Sequence, residues 1–169
     1  MRKIITFLLI IAFITCFSAC SGKTEPKEEK QPADEKAISL STGQLAETVL
    51  ESVEFPLMTE QTDPEIIEMF TGADFNDIEE IACFQQALTV HFAEILIIKP
   101  KNGRADAVTA FLTERQQMLK NTVSAYPVQE AAIEASVVGS KYNITYFICH
   151  QNASRAEKAL LEKIEENIK

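Results

Sequence analysis

Apolar and polar positions fall into blocks along this chain. Ile4 to Phe17 is a run of 14 mostly apolar residues, and Ser21 to Lys36 is Lys, Glu, Pro and Gln with no large apolar residue. Beyond these blocks the apolar spacing switches between helical and strand-like periods. Ser41-Thr42-Gly43-Gln44 has capping-box spacing and predicts a short helix with Leu45, Val49, Ser52 and Val53 on one face. Thr62-Asp63-Pro64-Glu65 repeats the signal with Pro in the first turn. Ile66, Ile67, Met69 and Phe70 follow, and Gly72 suits a left-handed C-terminal position. Between the two helices, Phe55-Pro56-Leu57-Met58 is expected as an apolar connector packed onto the core.

Two strand-like runs come next, Glu80 to Leu88 and Phe92 to Lys99, around Thr89-Val90-His91. Neither alternates cleanly, which suits strands covered on both faces. Asn102-Gly103 leads into a long helix reaching about Ser124. Its apolar stripe is Val108, Phe111, Leu112, Leu119 and Val123, with Glu114, Arg115 and Lys120 placed off it. Tyr126-Pro127 stops that helix. A second strand pair is expected at Ile133 to Val138 and Tyr142 to Cys149, turning at Gly139-Ser140-Lys141. Asn152 is placed as the cap of a final helix with Ala156, Leu160, Ile164 and Ile168 in line. The fold class expected is therefore α+β: two N-terminal helices, then ββαββα, with a four-stranded antiparallel sheet and helices packed mainly on one face.

The first block changes the picture from fold to location. Arg2-Lys3, the apolar run and the small residues Ser18-Ala19 form the three-part pattern of a secretory signal. The run is shorter than the roughly 20 residues a spanning helix needs. Phe17-Ser18-Ala19-Cys20 resembles a lipobox, whose cysteine receives diacylglycerol before cleavage on its N-terminal side; Phe17 stands where an aliphatic residue is usual. The expected organisation is a lipoprotein signal peptide at 1–19, with cleavage between Ala19 and Cys20. A lipidated Cys20 and a disordered charged tether follow at 20–40, then a single domain at 41–169. The lipid on Cys20 would hold the protein to the cell membrane on its extracytoplasmic face.

Charge narrows the partners. The chain carries 16 basic and 25 acidic residues, a net −9, and loss of Arg2 and Lys3 with the signal makes it more negative. No nucleic-acid partner is expected of so acidic a chain, because phosphate attraction needs Lys and Arg. From Ala37 to Ile98 there are 12 acids and no Lys or Arg, read here as a solvated acidic face, with a cation-attracting or basic-partner face as the alternative.

Candidate chemistry is sparse. There is no Gly-x-Ser-x-Gly, Ser-x-x-Lys, His-Glu-x-x-His, Cys-x-x-Cys or phosphate-cradling glycine loop. His91, His150, Cys83 and Cys149 match no zinc-module spacing, so neither metal nor cofactor is expected. Cys83 and Cys149 sit in apolar runs and are read as free buried thiols, with a disulfide as the alternative that an extracytoplasmic location permits. Asp74-Phe75-Asn76-Asp77 fails the calcium-loop pattern and is read as local turns. Many carboxylates are present, but no pair stands out.

From about Leu45 to Ile168 the chain resembles small lipoproteins of Gram-positive bacteria that carry a domain of unknown function. The resemblance rests on Glu54-Phe55-Pro56 with Met58, Gly72-Ala73-Asp74 leading to Ile78-Glu79-Glu80, Glu94-Ile95, and Gly139 with Tyr142 and Phe147. It implies a location and domain limits and carries no activity. The expected function is a non-enzymatic binding or envelope-assembly module with an envelope protein as candidate partner. An envelope enzyme with a carboxylate site lacking local signature is the alternative.

Overall fold

Ile95-Leu96-Ile97-Ile98 and Ile144 to Cys149 are apolar or uncharged at both strand parities, so burying them takes cover on both sides of a sheet. The computed structural model provides that cover. It describes residues 38–87, 92–121 and 127–168. Of the chain's two units, Met1–Ala33 lies outside the described residues, and everything that follows belongs to Asp34–Lys169.

In chain order the elements are α1 (Thr42–Ser52), β1 (Met58–Gln61), α2 (Pro64–Thr71), β2 (Ile78–Gln86) and β3 (Glu94–Pro100). They continue with α3 (Ala105–Asn121), α4 (Pro127–Glu134), β4 (Val137–Lys141), β5 (Ile144–Cys149) and α5 (Ala153–Glu166). The five strands form one sheet in the order β1-β2-β3-β5-β4, with every neighbouring pair antiparallel. The central pair, β3 and β5, runs in register from Glu94 opposite Cys149 to Ile98 opposite Thr145.

Alternation along these strands divides the core in two. Ile95, Ile97, Ile144, Tyr146 and Ile148 face α1 and α5, meeting Leu45, Ala46, Val49, Ala156, Leu160 and Ile164. Leu96, Ile98, Phe147 and Cys149 point the other way, onto Ile67 of α2, Val108, Leu112 and Leu119 of α3, and Ala132 and Ile133 of α4. The fold is α+β, but its helices cover both faces and its sheet has five strands. A one-sided, four-stranded arrangement would have left half of β3 and β5 in water. Each large apolar side chain buried here contributes about 1.5–3 kcal/mol.

Local signals explain most element ends. Ser41 caps α1 in a reciprocal box with Gln44. Asp63, rather than Thr62, caps α2, and Gly72 closes it in the left-handed conformation at φ 80°. Other expectations need correcting. Phe55 and Met58 pack against the α1–α5 core as expected, but Leu57 is 69 % exposed and Met58 also opens the edge strand β1. That strand is four residues long with an exposed centre, too short to leave a period. Pro127 starts α4, its fixed φ suiting a first helical turn, so Ile133 is helical and β4 begins only at Val137. The hairpin turns at Tyr142-Asn143, with Tyr142 at φ 52°, while Gly139 lies within β4. A Cβ there would collide with the Tyr146 hydroxyl oxygen, so this glycine makes room for a ring rather than a turn. Asn152 precedes α5 without a side-chain capping bond. Phe111 is only partly buried beside the α3 core residues, and Val123 lies outside the described residues. Ile38 bridges Ile168, and Ile38 and Leu40 pack against the α1–α5 core, so residues counted with the tether join the fold.

Candidate functional site

The antiparallel pairing of β3 and β5 brings the start of one and the end of the other to the same edge of the molecule, and a cleft of about 310 Å³ opens there. Its walls come from three sources. Extended Val53 ends α1 and delivers Glu54, Phe55 and Pro56. Phe92 stands before β3, and Val128 and Ala132 face in from α4. The floor is the β5–α5 junction, His150-Gln151-Asn152.

His150 is 5 % exposed and held by its neighbours. Phe55 lies over the imidazole with ring centroids 4.5 Å apart and planes tilted by 37°. Nδ1 accepts a hydrogen bond from the Asn152 backbone N–H at 3.1 Å. With Nδ1 engaged as acceptor, the neutral ring carries its proton on Nε2. Burial lowers the imidazole's pKa from its ordinary 6.5, opposed in part by the Glu54 carbonyl. Burial thus favours a neutral His150, whose contacts with Phe55 and Asn152 tie the exit of α1 to the entrance of α5. A second proton would have to displace the Asn152 N–H.

Across the sheet at the same end lies a buried ion pair. Glu94 is 1 % exposed, and its Oε2 accepts from Arg115 Nη2 at 2.8 Å and Nε at 3.3 Å. Oε1 has no well-formed hydrogen bond, although Gln85, opposite Glu94 in register, also favours the ionised form. Burial outweighs these partners and raises the Glu94 pKa. Cys83 and Cys149 sit on the same face. Burial first and Glu94 second push the Cys83 thiol up to about 12 and raise Cys149 in the same way. Cys149 donates to the Ala132 carbonyl at 3.4 Å. Both thiols are free. They stand on β2 and β5 with β3 between them, about 10 Å apart across the strands, beyond the reach of a disulfide. Neither is an activated nucleophile.

The other candidates scatter. Ala19 and Cys20, and with them the expected signal and tether, lie outside the described residues, as does His91. Among the described residues no three His, Cys, Asp or Glu side chains converge on a point that could hold a metal. Asp74 accepts from the Asn76 N–H at 2.8 Å as a local turn, and Asp77 pairs with Arg104. The acidic stretch is not uniformly solvated, since Glu94 is buried and Glu80 accepts from the Thr42 N–H at the start of α1, 3.0 Å away.

Sequence reasoning missed Arg115 as an inward residue because it is charged. Its spacing after Val108 and Leu112 and before Leu119 fits the buried side of α3. It also missed Tyr146, whose hydroxyl donates to Glu157 at 2.8 Å. No short-range pattern marks the cleft, which is assembled from segments far apart in the chain.

A family model described as "Domain of unknown function (DUF4358)" matches residues 51–150. The matched span holds every residue lining the cleft except Gln151 and Asn152. No curated protein and no solved structure matches.

Proposed function

We propose, for a chain that belongs to the DUF4358 family, a lipid-anchored extracytoplasmic binding module whose cleft beside His150 receives its ligand. The observation that carries binding over catalysis is the state of His150. Among the described residues it is the imidazole that lines the cleft, its Nδ1 is taken by the Asn152 N–H, and burial favours its neutral form, which supports a wall rather than a proton carrier. The buried acid that an enzyme reading would use, Glu94, is closed off by Arg115 and does not line the cleft. The anchoring half of the proposal rests on Arg2-Lys3, the apolar run and Ser18-Ala19-Cys20.

Two measurements test it. Metabolic labelling with a fatty-acid probe is expected to mark the wild type and not Cys20→Ser, and label kept by the Ser variant would overturn the anchor. A photo-crosslinking residue at Val128, on the cleft rim, is expected to capture a discrete species in native membranes. The same residue at Ser140, exposed on β4, should capture none of it. Equal capture from both positions, or none from Val128, would overturn the cleft as binding site.

A further inference from the structure

The cleft's chemistry also specifies a ligand class, an inference that rests on the cleft being the binding site. We propose that it takes a lysine or arginine side chain from an extended basic segment of a partner protein. The aliphatic stem would lie between Phe55, Pro56 and Phe92, with the cationic head at Glu54.

Size comes first. At about 310 Å³ the cleft sits at the bottom of the range for small-molecule pockets, roughly 300–1,000 Å³, and suits one long side chain with its flanking backbone. The walls come second. Phe55, Pro56, Phe92, Val128 and Ala132 supply apolar surface, and Glu54, His150, Gln151 and Asn152 supply polar surface beside it. A ligand apolar along its length and polar at its tip matches that division, as Lys and Arg do.

Charge decides the sign. Among the described residues that line the cleft, Glu54 is the acid and there is no Lys or Arg. Its side chain is exposed, and no ion pair engages it among the described residues. His150 adds no positive charge, because the Asn152 N–H occupies the lone pair that a proton would need. The side-chain oxygens of Gln151 and Asn152 are further acceptors for a cationic head. The chain's net charge of −9 also favours the approach of cationic over anionic ligands. An anionic ligand would meet Glu54 without a compensating cation.

The test uses three octapeptides of Gly, Ser and Ala that differ only at a central residue: lysine, norleucine or glutamate. Each is titrated into the full-length protein in neutral detergent micelles, following the backbone amide signals of Glu54, Phe92 and Gln151. The lysine peptide is expected to bind about three- to tenfold more tightly than the norleucine peptide, and the glutamate peptide least. Glu54→Gln is expected to erase the lysine advantage while norleucine binding stays unchanged. Addition of 0.5 M salt, in which screening acts within about 4–5 Å, should also shrink it. Equal binding of lysine and norleucine, or a lysine advantage that survives Glu54→Gln, would overturn the proposal. If no peptide binds while Val128 still captures its partner, the cleft binds a different chemistry; the cation inference fails and the binding module stands.

Discussion

At the scale of single residues, the most consequential placement is Glu94 against Arg115. Removing one partner of a buried pair leaves a charge without compensation, at a cost of about 3–5 kcal/mol. Arg115→Met is therefore expected to lose about that much stability at pH 7. The loss should depend on pH. Without Arg115 the fold favours the acid form of Glu94 still more strongly, because burial already raises its pKa above the ordinary 4.5. A raised carboxyl contributes fully below its unfolded value and loses that contribution as pH rises through the folded one. Urea unfolding at pH 7 and pH 5 should show a smaller deficit at pH 5. An equal deficit at both would mean that Glu94 stays ionised when unpaired. Little of this pair was legible in advance. Arg115 reads as lying off the apolar stripe because it is charged, although its spacing from Leu112 and Leu119 fits the buried side, and Glu94 belongs to a strand distant in sequence. The thiols were legible as buried hydrophobes because both lie in apolar runs, whereas their separation across β3 required the strand order.

At the scale of elements, periodicity worked where segments are long and one-sided. The capping box at Ser41, the left-handed Gly72 and the i+4 ladder of α5 are local; the structure keeps the first two and the ladder from Ala156 to Ile164, while Ile168 lies past the helix end in a bridge to Ile38. It failed where segments are short. β1 has four residues, and the run from Val128 to Val138 suits a helix or a strand until Pro127 is read as a beginning. Gly139 shows how a residue's role can come from across the sheet. It faces Tyr146 in register, and the phenol ring occupies the space a Cβ would need. Gly139→Ala is expected to cost about 1–3 kcal/mol by overpacking and to displace the Tyr146 hydroxyl from Glu157. The loss of that bond would bring the tyrosine's titration, now raised by burial and by Glu157, back toward 10. Denaturant unfolding measures the first effect and spectrophotometric titration the second. An alanine variant with unchanged stability would show that the ring swings aside freely.

At the scale of the whole molecule, two helical layers of the described domain enclose a sheet whose central strands are apolar on both faces, and the cleft opens at the end where β3 starts and β5 stops. The acidic surface, the apolar-walled cleft and the membrane tether expected from Cys20 are consistent with a protein that captures a basic partner at the cell surface. Whether the cleft binds or catalyses turns on one ring. If His150 is the neutral wall described above, its nitrogen-15 signals in the full-length protein should show the Nε2–H tautomer, and its pKa should fall below 6.5. The sign of the linked stability follows. A base depressed by folding gives its full contribution above the unfolded pKa, and that contribution is lost as pH falls below about 6.5. A nitrogen-15 pH titration of His150 is the most direct test. The account predicts a neutral Nε2–H ring at pH 7 that protonates only below 6.5, with stability declining in step. A ring that exchanges between tautomers at neutral pH, or titrates above 6.5, would contradict it and return His150 to the role of an available acid–base group.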